Sequence, residues 1–569
     1  MNSLIGGSSL RQTVNIASHL HTMAARFPDA IAVVVPGSRT VFRVGRDRRL
    51  TFQQLDQDSD RLAAGLIALG IEPQTRAAVM VRPGLDFFSL SFALFKAGVV
   101  PVLIDPGMGL RSLGGCLDQA QPEVFIGIRR AVWARRLLGW GRKSIRRVIV
   151  VAPGRSWPRS STLNGLRHLG QLALARGQVT SPVLRAMGPD DTAAILFTSG
   201  STGPPKGAVY THSIFEAQVE AFRGLYQIES GEVDLCTFPL FALFAPALGM
   251  TSIVPDMDPT RPARVDPDRI FQAMDRFQAT NLFGSPALLR RIAPAAARMG
   301  RRFPSLKRVV TAGAPVSPGI LDRFAGLLDP PSQIFTPYGA TEALPISSIG
   351  SREILSETRF ETERGAGVCV GRPVPGIDVR IIVIRDDAIP LWSNELLVAD
   401  GDVGEIVVAG PVVTREYFRR PEATALAKIA DPSHDRILHR MGDLGYLDAQ
   451  GRLWFCGRKS HRVILEDRTL FTICVEGVFN SHPAIARTAL VGVTRQNRTI
   501  PVLCVETNQP ASRGSRRTIR RELLELASTS ESTQLITTIL FHPSFPVDVR
   551  HNSKIYREKL AVWAAGKLR

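Results

Sequence analysis

Ala193-Ala-Ile-Leu-Phe-Thr-Ser-Gly-Ser-Thr-Gly-Pro-Pro-Lys-Gly207 begins as an apolar run and ends as a loop suited to an anion. Five apolar residues bounded by turn formers predict a buried strand over 193–197. Beyond it, Gly200 and Gly203 free the backbone, and Thr198, Ser199, Ser201 and Thr202 offer hydroxyls to phosphate oxygens. Lys206 adds a positive charge. An ordinary Gly/Ser loop does not carry ten consecutive residues of this chemistry. Nor is this a Walker A loop, because Pro204-Pro205 precede the lysine where that motif needs a G-K-S/T run opening a helix.

Outward from this loop, short apolar strands alternate with helical patterns. Strands are expected over 31–35, 77–81, 99–104, 124–128, 147–151, 281–283, 308–311 and 333–336, with helices over 15–26, 50–69 and 87–97. Thr51 is a plausible N-cap for the second helix. This alternation predicts an α/β fold with a mostly parallel sheet and helices on its faces. From Val379 the texture changes to strands joined by turns (379–384, 404–408, 451–455), which predicts a β-rich subdomain. From about Ser460 a separate α+β pattern begins, with segments at 484–493, 500–506, 513–527 and 537–541. The expected organisation is a large N-terminal domain of mixed sheets over 1–457 and a small C-terminal domain over 458–569.

Charge narrows the partners. Lys plus Arg is 70 against 51 Asp plus Glu, a net charge of +19 that favours acidic partners. The cations gather in two places: Arg129, Arg130, Arg135, Arg136, Arg142, Lys143, Arg146 and Arg147, then Arg513, Arg516, Arg517, Arg520 and Arg521. No zinc-finger spacing, aromatic RNA-binding signature or heptad accompanies either cluster, so no nucleic-acid partner is expected. A solvated basic surface is the favoured reading, and peripheral contact with anionic membrane stays open. The six cysteines form no C-x-x-C pair, which fits reduced thiols in a cytoplasmic protein. The uncharged stretch 235–255 is long enough to span a membrane, but Pro239, Pro246, Pro255 and Gly249 interrupt it. It reads as a buried strand-turn-helix segment.

Four further stretches carry chemistry. Gly313-Ala314-Pro315-Val-Ser317 follows a strand with small residues. Tyr338-Gly339-Ala-Thr341-Glu342 puts a tyrosine and a carboxylate at the end of another. Arg440-Met-Gly-Asp443-Leu-Gly-Tyr-Leu447 precedes Gly457-Arg458, so a carboxylate and a guanidinium follow one another along the chain. His551-Asn-Ser-Lys554-Ile-Tyr-Arg-Glu-Lys559 places a lysine near the C-terminus.

Together and in this order, these stretches resemble the signatures of the adenylate-forming enzymes: acyl-CoA synthetases, peptide-synthetase adenylation domains and luciferases. The resemblance covers nearly the whole chain. It implies ATP and Mg²⁺, with Thr198 to Gly203 and Lys206 on the phosphates, Gly313 to Pro315 as an adenine wall and Tyr338 stacked on the base. Gly339 lies within that nucleotide motif. Thr341 would contact the α-phosphate, Glu342 would hold the metal, and Asp443 and Arg458 would reach the ribose. Lys554, carried on a mobile C-terminal lid, would contact the carboxylate and α-phosphate; Lys206, Glu342 and Lys554 are the implied catalytic residues. Four departures stand out. The hinge position is Ser460 and the residue before the lysine is Ser553. Asp467 occupies the place of a glycine that lines the CoA tunnel, and Ala242 that of a histidine after Pro-Leu-Phe.

The last two departures, with 238–249 and 545–560, are similar to the olefin β-lactone synthetase branch. That branch implies a long-chain 2-alkyl-3-hydroxy acid as substrate, cyclised by its own hydroxyl, and assembly with other olefin-pathway enzymes. The apolar run 238–250 lines an alkyl pocket on this reading, or is simple core. A long-chain fatty acyl-CoA or acyl-AMP ligase and a non-catalytic nucleotide-binding scaffold are the alternatives.

Overall fold

A computed structural model describes residues 14–37, 39–40, 43–152, 161–198, 203–547 and 555–568. The strand pattern read from sequence recurs closely. Val124–Ile128, Arg147–Val151 and Asn281–Phe283 fall where the apolar runs place them. The helix Phe52–Ala68 starts at Thr51, whose hydroxyl accepts from the Gln54 amide while the Gln54 side chain accepts from the Thr51 amide. This reciprocal cap fixes the first turn.

Six strands position the site: β1 (Thr192–Phe197), β2 (Gly207–Thr211), β3 (Gln333–Ala340), β4 (Ala343–Gly350), β5 (Arg436–Leu447) and β6 (Leu453–Arg458). Among the described residues, β1 and β2 form the edge of a seven-stranded sheet. They pair antiparallel, and the remaining strand pairs of that sheet are parallel.

Among the described residues the largest sheet has 14 strands. Its parallel half runs through Val233–Cys236, Asn281–Phe283, Arg308–Val310 and β3 in aligned register. Cys236 faces Phe283, Phe283 faces Val310, and Val310 faces Phe335, so the carboxyl ends of the first three strands lie level and β3 runs on past them. The β-rich portion expected after Val379 continues this sheet through the β3–β4 hairpin and Val368–Pro373 to β6 and β5. A core of Leu235, Leu282, Val309 and Ile334 with Phe271, Leu288 and Phe324 packs helices onto the parallel half.

The C-terminal portion has its own three-stranded sheet, Ile485–Arg495, Arg498–Thr507 and Thr538–Phe541. Separate apolar clusters cover it: Val475, Leu490, Leu503 and Leu523 in one, Val491, Val502, Leu560 and Ala564 in the other.

The stretch 235–255 folds as a strand, two short helices (Pro239–Ala242 and Phe244–Ala247) and the strand Thr251–Ile253. No helix among the described residues is long and apolar enough to cross a membrane. All six cysteines are free and buried.

Candidate active site

The phosphate-type loop connects β1 to β2. The Thr198 amide donates to the Lys206 carbonyl at 2.9 Å and closes its base. Ser199, Gly200, Ser201 and Thr202 lie outside the described residues. Lys206 itself is half-buried, and its Nζ lies 5.0 Å from the centre of the Tyr417 ring.

Tyr417 joins two motifs that sequence keeps far apart. Its hydroxyl donates to Glu342 Oε1 at 2.6 Å. Lys206 and Glu342 therefore meet across one aromatic ring. The segment around Tyr417 is stitched to both: Val209 donates to the Glu416 carbonyl and Phe418 to the Gly207 carbonyl, while Val413 bridges to Ala343. Thr414 donates through its amide (2.9 Å) and its hydroxyl (3.1 Å) to the Glu342 carbonyl. Tyr210 on β2 donates to the Thr341 carbonyl at 2.5 Å.

Thr341 and Glu342 form the two-residue turn of the β3–β4 hairpin, so the strand runs past Thr336, where the sequence placed its end, to Ala340. The hairpin is pinched beside Gly339. A Cβ there would sit 2.5 Å from the Ala343 carbonyl oxygen, so only glycine permits this approach. Gly313, at φ 98°, turns the chain out of the strand Arg308–Val310. Because Val310 pairs with Phe335, Gly313 and Tyr338 each lie three residues beyond that pair on parallel strands and emerge at the same edge. Ala314 and Pro315 lie in that turn, half-buried and exposed respectively. Ligands of open parallel sheets bind at this edge.

Asp443 and Arg458 are direct cross-strand partners on β5 and β6, with Nη1 3.1 Å from Oδ1. Tyr338 joins them, its hydroxyl donating to Asp443 Oδ2 at 2.7 Å. The Asp443 carboxylate holds the Arg458 guanidinium above its ordinary pKa. Burial, and then the same carboxylate, push the Tyr338 phenol far above the usual range. The tyrosine is thus tied by its hydroxyl to the aspartate, which leaves its ring free of that bond.

A buried lysine, not singled out from sequence, lies behind Glu342. Lys428 donates to the Thr414 carbonyl and, at 3.2 Å, to its hydroxyl. Burial pulls its ammonium down to about 7, opposed by the Glu342 carboxylate. His439 beside it is held neutral, first by burial and then by the Lys428 charge, and its Nδ1 donates to the Ala427 carbonyl at 3.1 Å.

The donor set fits a hard cation at Glu342. Oε1 is fixed by Tyr417, while Oε2 has no hydrogen-bond partner among the described residues. Among those residues no group of three or more His, Cys, Asp or Glu could hold a metal. A Mg²⁺ ion here would draw its other ligands from phosphate oxygens and water, as this ion prefers.

The apolar run divides between two roles. Ala242, Ala245, Ala247, Leu248 and Met250 are buried core. Phe238, Phe241 and Phe244 are half-buried and form an aromatic wall with Phe222 and Phe283, the Phe241 and Phe283 rings stacking at 4.2 Å. Phe283 ends one of the aligned strands, so the wall reaches the edge where Gly313 and Tyr338 emerge.

Asp467 lies exposed in the turn between the short strands Val463–Ile464 and Thr469–Leu470, beside Arg468. Ser460 lies in the 3-10 turn Lys459–His461. Lys459 is anchored to Glu405 at 3.1 Å and to the Arg385 carbonyl at 2.7 Å. Lys554 and Ser553 lie outside the described residues.

One consequence concerns Asp443. Alanine there leaves the Tyr338 hydroxyl without its acceptor and the partly exposed Arg458 guanidinium without its ion-pair partner, so a loss of about 1–3 kcal/mol is expected in urea unfolding. The Asp443→Asn variant keeps an acceptor and should lose less.

The AMP-binding enzyme family model matches residues 20–418. An olefin beta-lactone synthetase of Stenotrophomonas maltophilia is 49% identical over 564 residues, covering 98% of this chain and 99% of that protein. One of Xanthomonas campestris pv. campestris is 48% identical over 559 residues, covering 97% of each. Among solved structures, the amide bond synthetase McbA from Marinactinospora thermotolerans superposes with a TM-score of 0.75 at 22% identity, covering 96% of this chain and 99% of that one.

Proposed function

We propose, from the premise that this chain belongs to the family of AMP-binding enzymes, that it converts a long-chain 2-alkyl-3-hydroxy acid and ATP into a β-lactone, AMP and pyrophosphate. Membership carries the coarser statement by itself: the chain is an ATP-dependent, adenylate-forming ligase. The observation that supports the site assignment is the Tyr417 link, which brings Lys206 of the loop to Glu342 of the nucleotide motif.

On this reading the substrate carboxylate attacks the α-phosphorus of ATP. An O–P bond forms and the bond to pyrophosphate breaks, giving the acyl adenylate. Thr198, the loop hydroxyls and Lys206 hold the phosphates. The ring of Tyr338 and the Gly313 turn flank the base, and Asp443 with Arg458 holds the ribose. Glu342 would hold Mg²⁺, which would offset charge on the phosphate oxygens. Lys554 stabilises the charge that develops during the displacement.

In the second half, the substrate's β-hydroxyl oxygen attacks the activated acyl carbon. A ring C–O bond forms, the bond to AMP breaks and the hydroxyl proton is released. The nucleophile is already tethered beside the carbonyl, so no separate acceptor has to be captured. The half-buried wall of Phe238, Phe241 and Phe244 suits alkyl chains. The charged, exposed turn at Asp467 is poorly suited to line a pantetheine tunnel.

The test is product identity. Enzyme, MgATP and a synthetic long-chain β-hydroxy acid without CoA should yield lactone and AMP in equal amounts. A reaction that stops at adenylate and proceeds only when CoA is added would assign the chain to the acyl-CoA ligases instead.

A further inference from the structure

The helix Arg129–Leu138 follows the strand Val124–Ile128 in the seven-stranded sheet. Its inner side sends Val132 into the core cluster that includes Phe197 and Trp140 and packs against Phe418. The outer side of such a helix is ordinarily polar. Here it is not: Leu137 is 86% exposed, Trp133 59% and Leu138 46%. Trp133 and Leu137 are four residues apart and so stand one above the other on the same side. The helix stops at Gly139, at φ 69°.

Along this segment the charge has one sign. From Arg129 to Arg147 there are eight cations and no Asp or Glu. Arg130, Arg142, Lys143, Arg146 and Arg147 are exposed, and none of these five forms an ion pair with a described residue. Scattered exposed leucines need no explanation, but a Trp-Leu-Leu ridge inside a field of arginines does.

We propose that the surface built on Arg129–Leu138 and the turn 139–147 docks the enzyme on an anionic lipid bilayer. Tryptophan and leucine bury in the boundary between headgroups and acyl chains, where an indole is at home. The surrounding arginines meet lipid phosphates, and each adds attraction that salt screens. Charge complementarity selects an anionic surface, and the ridge selects a bilayer over a nucleic acid, which would match the cations and leave Leu137 in water. A short amphipathic helix of this kind lies in the interface plane and does not span it. This surface is separate from the active site, and the proposal stands or falls independently of the lactone reading.

The full chain should be sedimented with vesicles of phosphatidylcholine alone and with vesicles containing phosphatidylglycerol at about a third of the lipid, at low and high salt. Binding at least about tenfold tighter to the anionic vesicles is expected, and weakened by salt. Leu137→Glu should cost about tenfold in vesicle affinity, and Arg142→Glu with Lys143→Glu a similar amount. All variants should melt with the wild type and release pyrophosphate at its rate. Equal binding to both vesicle types, or no binding to either, overturns the proposal. So does binding that follows the charges, survives Leu137→Glu and is competed away by duplex DNA, which would mark a polyanion surface instead.

Discussion

Glu342→Ala is expected to slow ATP-dependent pyrophosphate release by on the order of 10²–10³-fold, the scale of removing one preorganised charge-stabilising group. The backbone of this turn is held independently of the side chain, by Thr414 on the Glu342 carbonyl and Tyr210 on the Thr341 carbonyl. The variant should therefore fold, and the loss should appear in kcat. Excess Mg²⁺ should not restore it. Glu342→Gln keeps an acceptor for the Tyr417 hydroxyl and loses the charge, so it separates positioning from metal binding. If the glutamine variant retained full activity at limiting Mg²⁺, Glu342 would not be the metal-holding carboxylate. The alanine change should also be felt by Lys428. The Glu342 carboxylate is what raises a lysine that burial depresses to about 7, so without it the ammonium is expected to lose its proton at still lower pH.

Lys554→Ala is the second large expectation. Although the lysine lies outside the described residues, the described residues on either side of 548–554 are fixed. Val547 bridges to Ile555, and the Tyr556 amide donates to the Pro546 carbonyl at 2.9 Å. The following helix, Arg557–Lys567, is anchored by Arg557 to the buried Glu476 at 2.6 Å. On the proposed reading the lysine acts on the charge developing during displacement at the α-phosphorus. Adenylation is expected to slow by about 10²-fold or more while the KM for ATP changes by only a few fold. A raised KM with an intact kcat would show that the lysine only binds nucleotide.

Much of the fold was legible because its signals are local. Apolar runs of three to six residues between turn formers predicted the parallel strands, and Thr51 announced a helix start. The loop after Phe197 declared its chemistry through hydroxyls, glycines and a lysine in ten consecutive residues. The site's supporting residues had no such signature. Tyr417 sits in Thr414-Arg-Glu-Tyr-Phe-Arg-Arg-Pro421, which reads as a charged surface loop. Its partner Glu342 is 75 residues away. Lys428, in Ala425-Leu-Ala-Lys-Ile-Ala430, looks like any lysine at a helix end until the fold buries it. The run 238–250 was equally readable as core or pocket because its aromatic and small residues alternate in role within one uncharged segment.

By itself, then, the sequence determined which segments would be strands and helices and which loop carries chemistry suited to phosphate, since those depend on periodicity and on turn chemistry within a few residues. Only the tertiary structure decided that the β-rich portion extends the same sheet as the parallel half. It alone decided that one tyrosine joins Lys206 to Glu342, that Asp443 is shared between Tyr338 and Arg458, and that a Trp-Leu ridge stands exposed among arginines. Each of these depends on contact or burial set by strand order and helix docking, and the free energy of a contact between distant residues leaves no mark on either one's neighbours.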